Sequence, residues 1–145
     1  MQITFVIGPA CAGKSTYIKN NFSDFKVIDL YDFQKDYTFL GYNECFESYE
    51  KCKDALIEAI KNNENVVMEH TLLKAIRRKV YIDAVKELGD YEIECICIKP
   101  SPEVLNKRRE LRNIKSKIEW DKEELDLLEI PTIEEGFSNV KLIEE

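Results

Sequence analysis

No apolar run in these 145 residues approaches the ~18 needed to cross a membrane. The start of the chain carries no basic cluster and goes straight into an apolar, strand-like segment, which is not the pattern of a signal peptide. Cations are outnumbered: the formal net charge is −7, which argues against a protein that coats nucleic acid indiscriminately. It does not exclude an enzyme that holds one strand end in a locally basic cleft. The five cysteines (Cys11, Cys45, Cys52, Cys95, Cys97) are odd in number and show no zinc spacing. Cys95 and Cys97 alternate along a predicted strand and read as small buried apolar residues, so a reduced cytoplasm is the expected compartment. There is a single histidine, His70, and a lone histidine beside a strand end is more often structural than catalytic. Repeats, linkers and low-complexity segments are missing, and the length suits one compact domain spanning 1–145.

What is present is organised around residues 8–16, GPACAGKST, which fit the pattern G-x-x-x-x-G-K-[ST]. The apolar segment ITFVI precedes it and KSTYIKNNF reads as a helix after it. Strand, glycine loop and helix N-terminus form an anion cradle from backbone N–H groups and the positive end of the helix dipole. Gly8, Pro9, Ala10, Cys11, Ala12, Gly13, Lys14, Ser15 and Thr16 make up that cradle. Lys14 is expected to reach the β- and γ-phosphates and Ser15 to ligate Mg2+, both from a solvated loop. Gly8 and Gly13 let the backbone approach phosphate oxygens that a side chain would hold off. The sequence therefore predicts a nucleoside triphosphate site for ATP with Mg2+.

Acids fall at the C-terminal ends of two strands, where open α/β sheets bind ligands. FKVIDL (Phe25 to Leu30) reads as a second strand ending at Asp29, and Asp32 follows about one helical turn later. Either could take a proton from an attacking hydroxyl, with Asp29 as a helix cap and Asp32 as a solvated charge being the bland alternatives. NVVMEHT reads as a third strand with Glu69 at its C-terminal end, a position for a carboxylate that holds metal water or substrate. Between them, Tyr37 to Tyr42 reads as a loop. Glu44 to Asn62 reads as a helix with Phe46, Tyr49, Cys52, Leu56 and Ile60 on one side.

Leu72 to Leu88 is an amphipathic helix closed by Gly89, with Arg77 and Arg78 inside it. Tyr91 to Ile98 reads as a central strand. Pro100 and Pro102 open the next helix, whose Arg108 and Arg112 lie four apart on one face of a lid at about 103–118. Arginines there can stabilise the charge of a transferring phosphoryl group, against the bland alternative of a solvated helix face. Ile114 to Glu129 reads as a charged helix with Ile118, Leu125 and Leu128 inward and Trp120 near one edge, and Val140 to Ile143 as a last strand. Strands alternating with helices predict a three-layer α/β domain with a mainly parallel sheet of about five strands.

The order of these pieces resembles the kinase domain of the polynucleotide kinase family, within the P-loop kinases. The resemblance rests on GPACAGKST, on VVMEHTLLKAIRR, on NKRRELR and on EIPTIEEGFSNVKLI. In the last, Pro131, Thr132, Glu135, Gly136 and Phe137 match the family's closing segment at its spacing. The chain departs from the family after the second strand. IDLYD replaces N-R-D, Gln34 or Lys35 stands where an arginine is usual, and Glu69 replaces an aspartate. The resemblance implies an ATP-dependent kinase acting on a polynucleotide 5′-hydroxyl. A kinase of a small hydroxylated molecule (nucleoside, nucleotide or sugar) and a nucleotide-binding protein without transferase activity remain as alternatives.

Overall fold

The computed structural model describes residues 1–34 and 42–145. Five strands form one sheet: β1 (Ile3–Ile7), β2 (Lys26–Asp29), β3 (Val66–His70), β4 (Ile93–Lys99) and β5 (Asn139–Glu144). Their order is β2-β3-β1-β4-β5, and every pairing is parallel. The helices are α1 (Lys14–Asn21), α2 (Leu30–Gln34), α3 (Tyr42–Lys61), α4 (Ala75–Leu88), α5 (Pro102–Leu111) and α6 (Ile118–Asp126). The predicted α/β architecture is the one observed.

Strand periodicity explains the layers. Side chains alternate across a sheet, and a parallel sheet must be covered on both faces. Ile3, Phe5 and Ile7 of β1, Val66 and Met68 of β3, and Cys95 and Cys97 of β4 enter one core, closed by Cys52, Leu56 and Ile60 of α3 and Tyr81, Ile82 and Val85 of α4. Val6, Val67, Ile96 and Ile98 enter the other, closed by Ala12 and Ile18. The chain leaves β3 and crosses β1 to reach β4 on its far side. This reversal puts the topological switch point at the C-terminal end of β1, where the loop 8–13 begins.

Several boundaries differ from the sequence reading. Strand β2 ends at Asp29 as read but begins at Lys26 rather than Phe25, and Leu30 opens α2. His70, not Glu69, is the last residue of β3. Helix α4 begins at Ala75 because residues 71–74 make an exit turn in which Leu72 takes a positive φ of 39°. Phe46 and Ile118, expected inward, are exposed, and Trp120 is half exposed, while Leu125 and Leu128 are buried as expected. The predicted loop at Tyr37 to Tyr42 lies outside the described residues except for Tyr42, which opens α3.

The closing segment PTIEEGF is a brace. Glu135 sits in a 3-10 turn (Ile133–Glu135) and grips the fully buried Arg78 of α4 with both oxygens, at 2.7 Å from Nε and 3.1 Å from Nη2. Arg78 Nη1 also donates to the carbonyls of Leu72 (2.9 Å) and Leu73 (3.3 Å), so one guanidinium ties α4 to the exit turn of β3. Gly136 follows at φ 122°, where a Cβ would stand 2.8 Å from Ile82 Cγ2. Phe137 then packs edge-on against Phe5, with ring centroids 5.8 Å apart. Removing one partner of a buried pair leaves the other uncompensated. Arg78→Met is expected to cost about 3 kcal/mol of unfolding free energy, read as a lowered urea midpoint. An unchanged midpoint would show that the pair braces nothing.

Candidate active site

The loop after β1 turns on glycine. Gly8 has φ 152°, and a Cβ there would lie 2.5 Å from the Ile98 carbonyl oxygen, a clash that no side chain escapes. Gly13 has φ 106° and caps the N-terminus of α1, so the first backbone N–H groups of that helix are left for an anion. Gly8 N also donates to the Thr71 carbonyl (3.2 Å), which fixes the loop to the end of β3.

Lys14 is buried rather than solvated. Its ammonium donates to the loop's own carbonyls, Gly8 at 2.7 Å and Pro9 at 3.0 Å. Burial pulls its pKa down to about 8, with Glu69 and Asp29 the leading influences in the opposite direction. Ser15 donates its hydroxyl proton to Glu69 Oε1 at 2.7 Å. The parallel register of β2 and β3 sets Asp29 directly beside Glu69. Burial first, and then the hydrogen bond and charge of Asp29, push the Glu69 carboxyl up to about 7, while Ser15 and Lys14 pull it back. Asp29 Oδ1 accepts from Tyr31 N at 3.0 Å, so that carboxylate caps α2 while its other oxygen stays free of this turn.

A cleft of about 440 Å³ opens over these groups. Its phosphate-loop side is formed by Ala10, Cys11, Gly13, Lys14, Ser15, Thr16 and Arg112, and its other end by Asp29, Tyr31, Gln34, Glu69, His70 and Thr71. The structure thus brings Lys14, Ser15, Asp29, Glu69 and Arg112 together. Asp32 is not with them, because it lies on the exposed side of α2. Arg108 is not in this cleft either. Its Nη1 donates to the Ala12 carbonyl at 2.6 Å and its Nη2 pairs with Glu145, beside a second cavity along α1. Arg112, exposed at the end of α5, approaches Cys11 Sγ at 3.9 Å. Gln34 lines the cleft, whereas Lys35 lies outside the described residues.

Sequence reasoning missed Arg109. It is buried, with Nη1 2.6 Å from Asp121 Oδ1 and Nη2 3.0 Å from both Glu124 Oε1 and the Ala10 carbonyl. Asp121 is held in turn by Ser116 and Asn106. The signal was available: Arg109 stands four residues after the buried Leu105, on the inward stripe of α5. His70 is enclosed by Tyr49 and Tyr81, with ring centroids at 4.8 and 5.3 Å, and burial drives its pKa down to about 3.

A family model described as an AAA domain matches residues 3–129. The chain belongs to that family. The bifunctional polynucleotide phosphatase/kinase of Schizosaccharomyces pombe is 29% identical over 107 residues, which make up 68% of this chain and 25% of that protein. The chain therefore spans about a quarter of the length of that curated relative. A chain of the Pnkp1/Rnl/Hen1 RNA repair complex superposes with a TM-score of 0.74 at 16% identity, covering 88% of this chain and 43% of that one. A gluconokinase from Sinorhizobium meliloti superposes with a TM-score of 0.69 at 15% identity, covering 99% and 82%. At such identities the two structures speak for the fold alone. The fold is that of P-loop kinases, and the chain resembles the kinase domain of polynucleotide kinases.

The raised Glu69 carboxyl has a consequence for the ligand-free protein. An acid whose folded pKa lies above its ordinary value of 4.5 favours folding most below pH 4.5, and that contribution is lost as pH rises to about 7. Glu69→Gln keeps an acceptor for Ser15 and mimics the protonated form. Urea unfolding is expected to show the variant matching wild type near pH 4.5 and exceeding it at pH 8. A difference that does not change with pH would contradict this environment for Glu69.

Proposed function

We propose that this chain transfers the γ-phosphoryl group of ATP to a hydroxyl, with the 5′-hydroxyl of a polynucleotide end as the acceptor. The observation that carries the reading is the grouping of Lys14, Ser15, Glu69 and Asp29 around one cleft at the end of the phosphate loop. A phosphate site and a carboxylate base within one crevice are what phosphoryl transfer to an alcohol needs. The polynucleotide acceptor is supported by the likeness to the yeast phosphatase/kinase and by the closing PTIEEGF segment.

The residues fit the cofactors. Ser15 and Glu69 offer hard oxygen ligands 2.7 Å apart, suited to an ion that also keeps water and phosphate oxygens. Mg2+ held by Ser15 and Glu69 would supply positive charge against the charge that develops on the transferring phosphoryl group. The backbone N–H groups at the start of α1 bind the phosphates, and Lys14 exchanges its two loop carbonyls for phosphate oxygens. Arg112, at the cleft, supplies a guanidinium toward the transferring group. Asp29, beside Glu69 at the cleft, accepts the proton of the attacking hydroxyl.

A second reading, a kinase of a small hydroxylated molecule, draws on one observation. The acceptor end of the cleft, with Asp29, Tyr31, Gln34 and Thr71, has no cation among the described residues to meet a polynucleotide backbone. Labelled ATP with Mg2+ and a panel of 5′-hydroxyl oligonucleotides, nucleosides and sugars separates the two. Label on oligonucleotides is expected; label on sugars or nucleosides alone selects the second reading, and none on any acceptor rejects both.

Two substitutions test the roles. Asp29→Asn is expected to lower kcat at least a hundredfold, about 2.7 kcal/mol, with nucleotide Kd near wild type, while Asp32→Asn leaves kcat within a few fold. Equal losses in both would remove the base from Asp29. For Arg112→Ala we expect a kcat loss of similar size with little change in nucleotide Kd. A loss seen only as weaker nucleotide binding would make Arg112 a clamp instead.

A further inference from the structure

Charge is segregated along this chain. Residues 107–117 hold six of its 21 cations and one of its 28 acids, leaving 15 cations and 27 acids elsewhere. A stretch of +5 therefore stands in a chain whose remainder sums to −12. Arg108 and Arg109 are paired with Glu145, Asp121 and Glu124. Arg112, Lys115 and Lys117 are exposed and have no ion pair among the described residues. Arg112 and Ile114 line the cleft, and three residues of chain carry Lys117 at most about 11 Å beyond Ile114. There the Lys117 ammonium stands 5.2 Å from the centroid of the Trp120 ring.

The side of α6 that carries Trp120 is set by its neighbours. Asp121, Leu125 and Leu128 take the buried side. Glu124 lies one turn after Trp120 on the same flank. It holds Arg109 Nη2, which also donates to the Ala10 carbonyl of the phosphate loop. Trp120 thus projects on the flank of α6 that is tied to the loop, and it remains 50% exposed. A half-exposed indole beside free lysines is a stacking face with cations at its rim.

We propose that Trp120, Lys115 and Lys117 form a docking surface for the single strand that follows the phosphorylated 5′ nucleotide. A base stacks on the indole, and the lysines meet the phosphates flanking it. The inference rests on the kinase reading above and adds that the acceptor is held from the lid side, since the Asp29 end of the cleft offers its backbone no cation among the described residues. Charge selects this occupant. A second copy pairing symmetrically would bring one basic stretch against another, and a small acceptor would end inside the cleft. A blunt duplex keeps its bases paired and gives the indole no free base to stack on.

Trp120 is the only tryptophan, so its emission reports this surface alone. Quenching is expected with a single-stranded 5′-hydroxyl oligonucleotide, and not with inorganic polyphosphate or with non-hydrolysable ATP and Mg2+. No quenching by the oligonucleotide overturns the proposal, and so does quenching by the nucleotide alone, which would put the indole at the ATP site. Binding is then followed by the anisotropy of a labelled strand. Trp120→Ala is expected to weaken it about tenfold or more, and Trp120→Phe to restore most of the loss. Lys115→Gln and Lys117→Gln should each reduce the slope of log Kd against log salt by about 0.7. Unchanged affinity in Trp120→Ala overturns the assignment. Sedimentation that shows wild type pairing and Trp120→Ala not pairing would make the face a contact between copies, and the proposal falls. None of these readouts needs turnover, so failure of the kinase reading appears separately, as the absence of label on every acceptor.

Discussion

The site depends on a parallel register. Because β2 and β3 pair with Asp29 opposite Glu69, two carboxyl groups meet at the edge of the crevice that the phosphate loop opens. Burial first, and then the neighbouring Asp29, favour the protonated form of Glu69 above the ordinary carboxylate range. Lys14 is drawn into the same balance. Its ammonium is desolvated, and the two acids favour its charge against that burial. A shift of one residue in the register would turn one carboxylate to the opposite face and leave this lysine with half of its electrostatic support.

Two buried arginines hold the surrounding elements, and neither belongs to the chemistry. Arg78 joins the closing segment to α4 and to the carbonyls of Leu72 and Leu73; one residue before these, Thr71 accepts the hydrogen bond from Gly8 N. The brace at the end of the chain is therefore connected, through a few covalent and hydrogen bonds, to the first glycine of the phosphate loop. Arg109 does the same from the other side, linking Asp121 and Glu124 of α6 to the Ala10 carbonyl. A guanidinium suits both places because its planar fork serves a carboxylate and a carbonyl at once.

Much of this was legible in the sequence where local chemistry decides the outcome. The glycine pattern with its flanking strand and helix gave the loop, and alternation in β1, β3 and β4 gave the sheet. Gly8 is readable because its requirement is backbone geometry that no other residue meets. Long-range pairing was not legible. Arg78 and Glu135 are 57 residues apart, and Arg109 and Ala10 are 99 apart, so local pattern can mark Arg109 as inward-facing but cannot name either partner. The choice between Asp29 and Asp32 failed to resolve for a related reason. Both follow a strand at plausible distance, and only the start of α2 at Leu30 settles which of them faces the cleft. The expected solvation of Lys14 missed the carbonyls that the loop itself turns inward.

The three arginines of RRELR then separate by what each would give up when a nucleotide arrives. Arg109 would break a buried contact to Asp121, a half-buried one to Glu124 and a carbonyl bond, leaving the buried Asp121 without its counter-ion, which is costly. Arg108 would leave one carbonyl and one partly exposed carboxylate, and exposed pairs are worth little. Arg112 is exposed and, among the described residues, has only a thiol at 3.9 Å to give up. Mobility toward the phosphates therefore rises from Arg109 to Arg108 to Arg112. A helix that carries one fixed arginine and two releasable ones can stay anchored to the phosphate loop while its outer cations change partners.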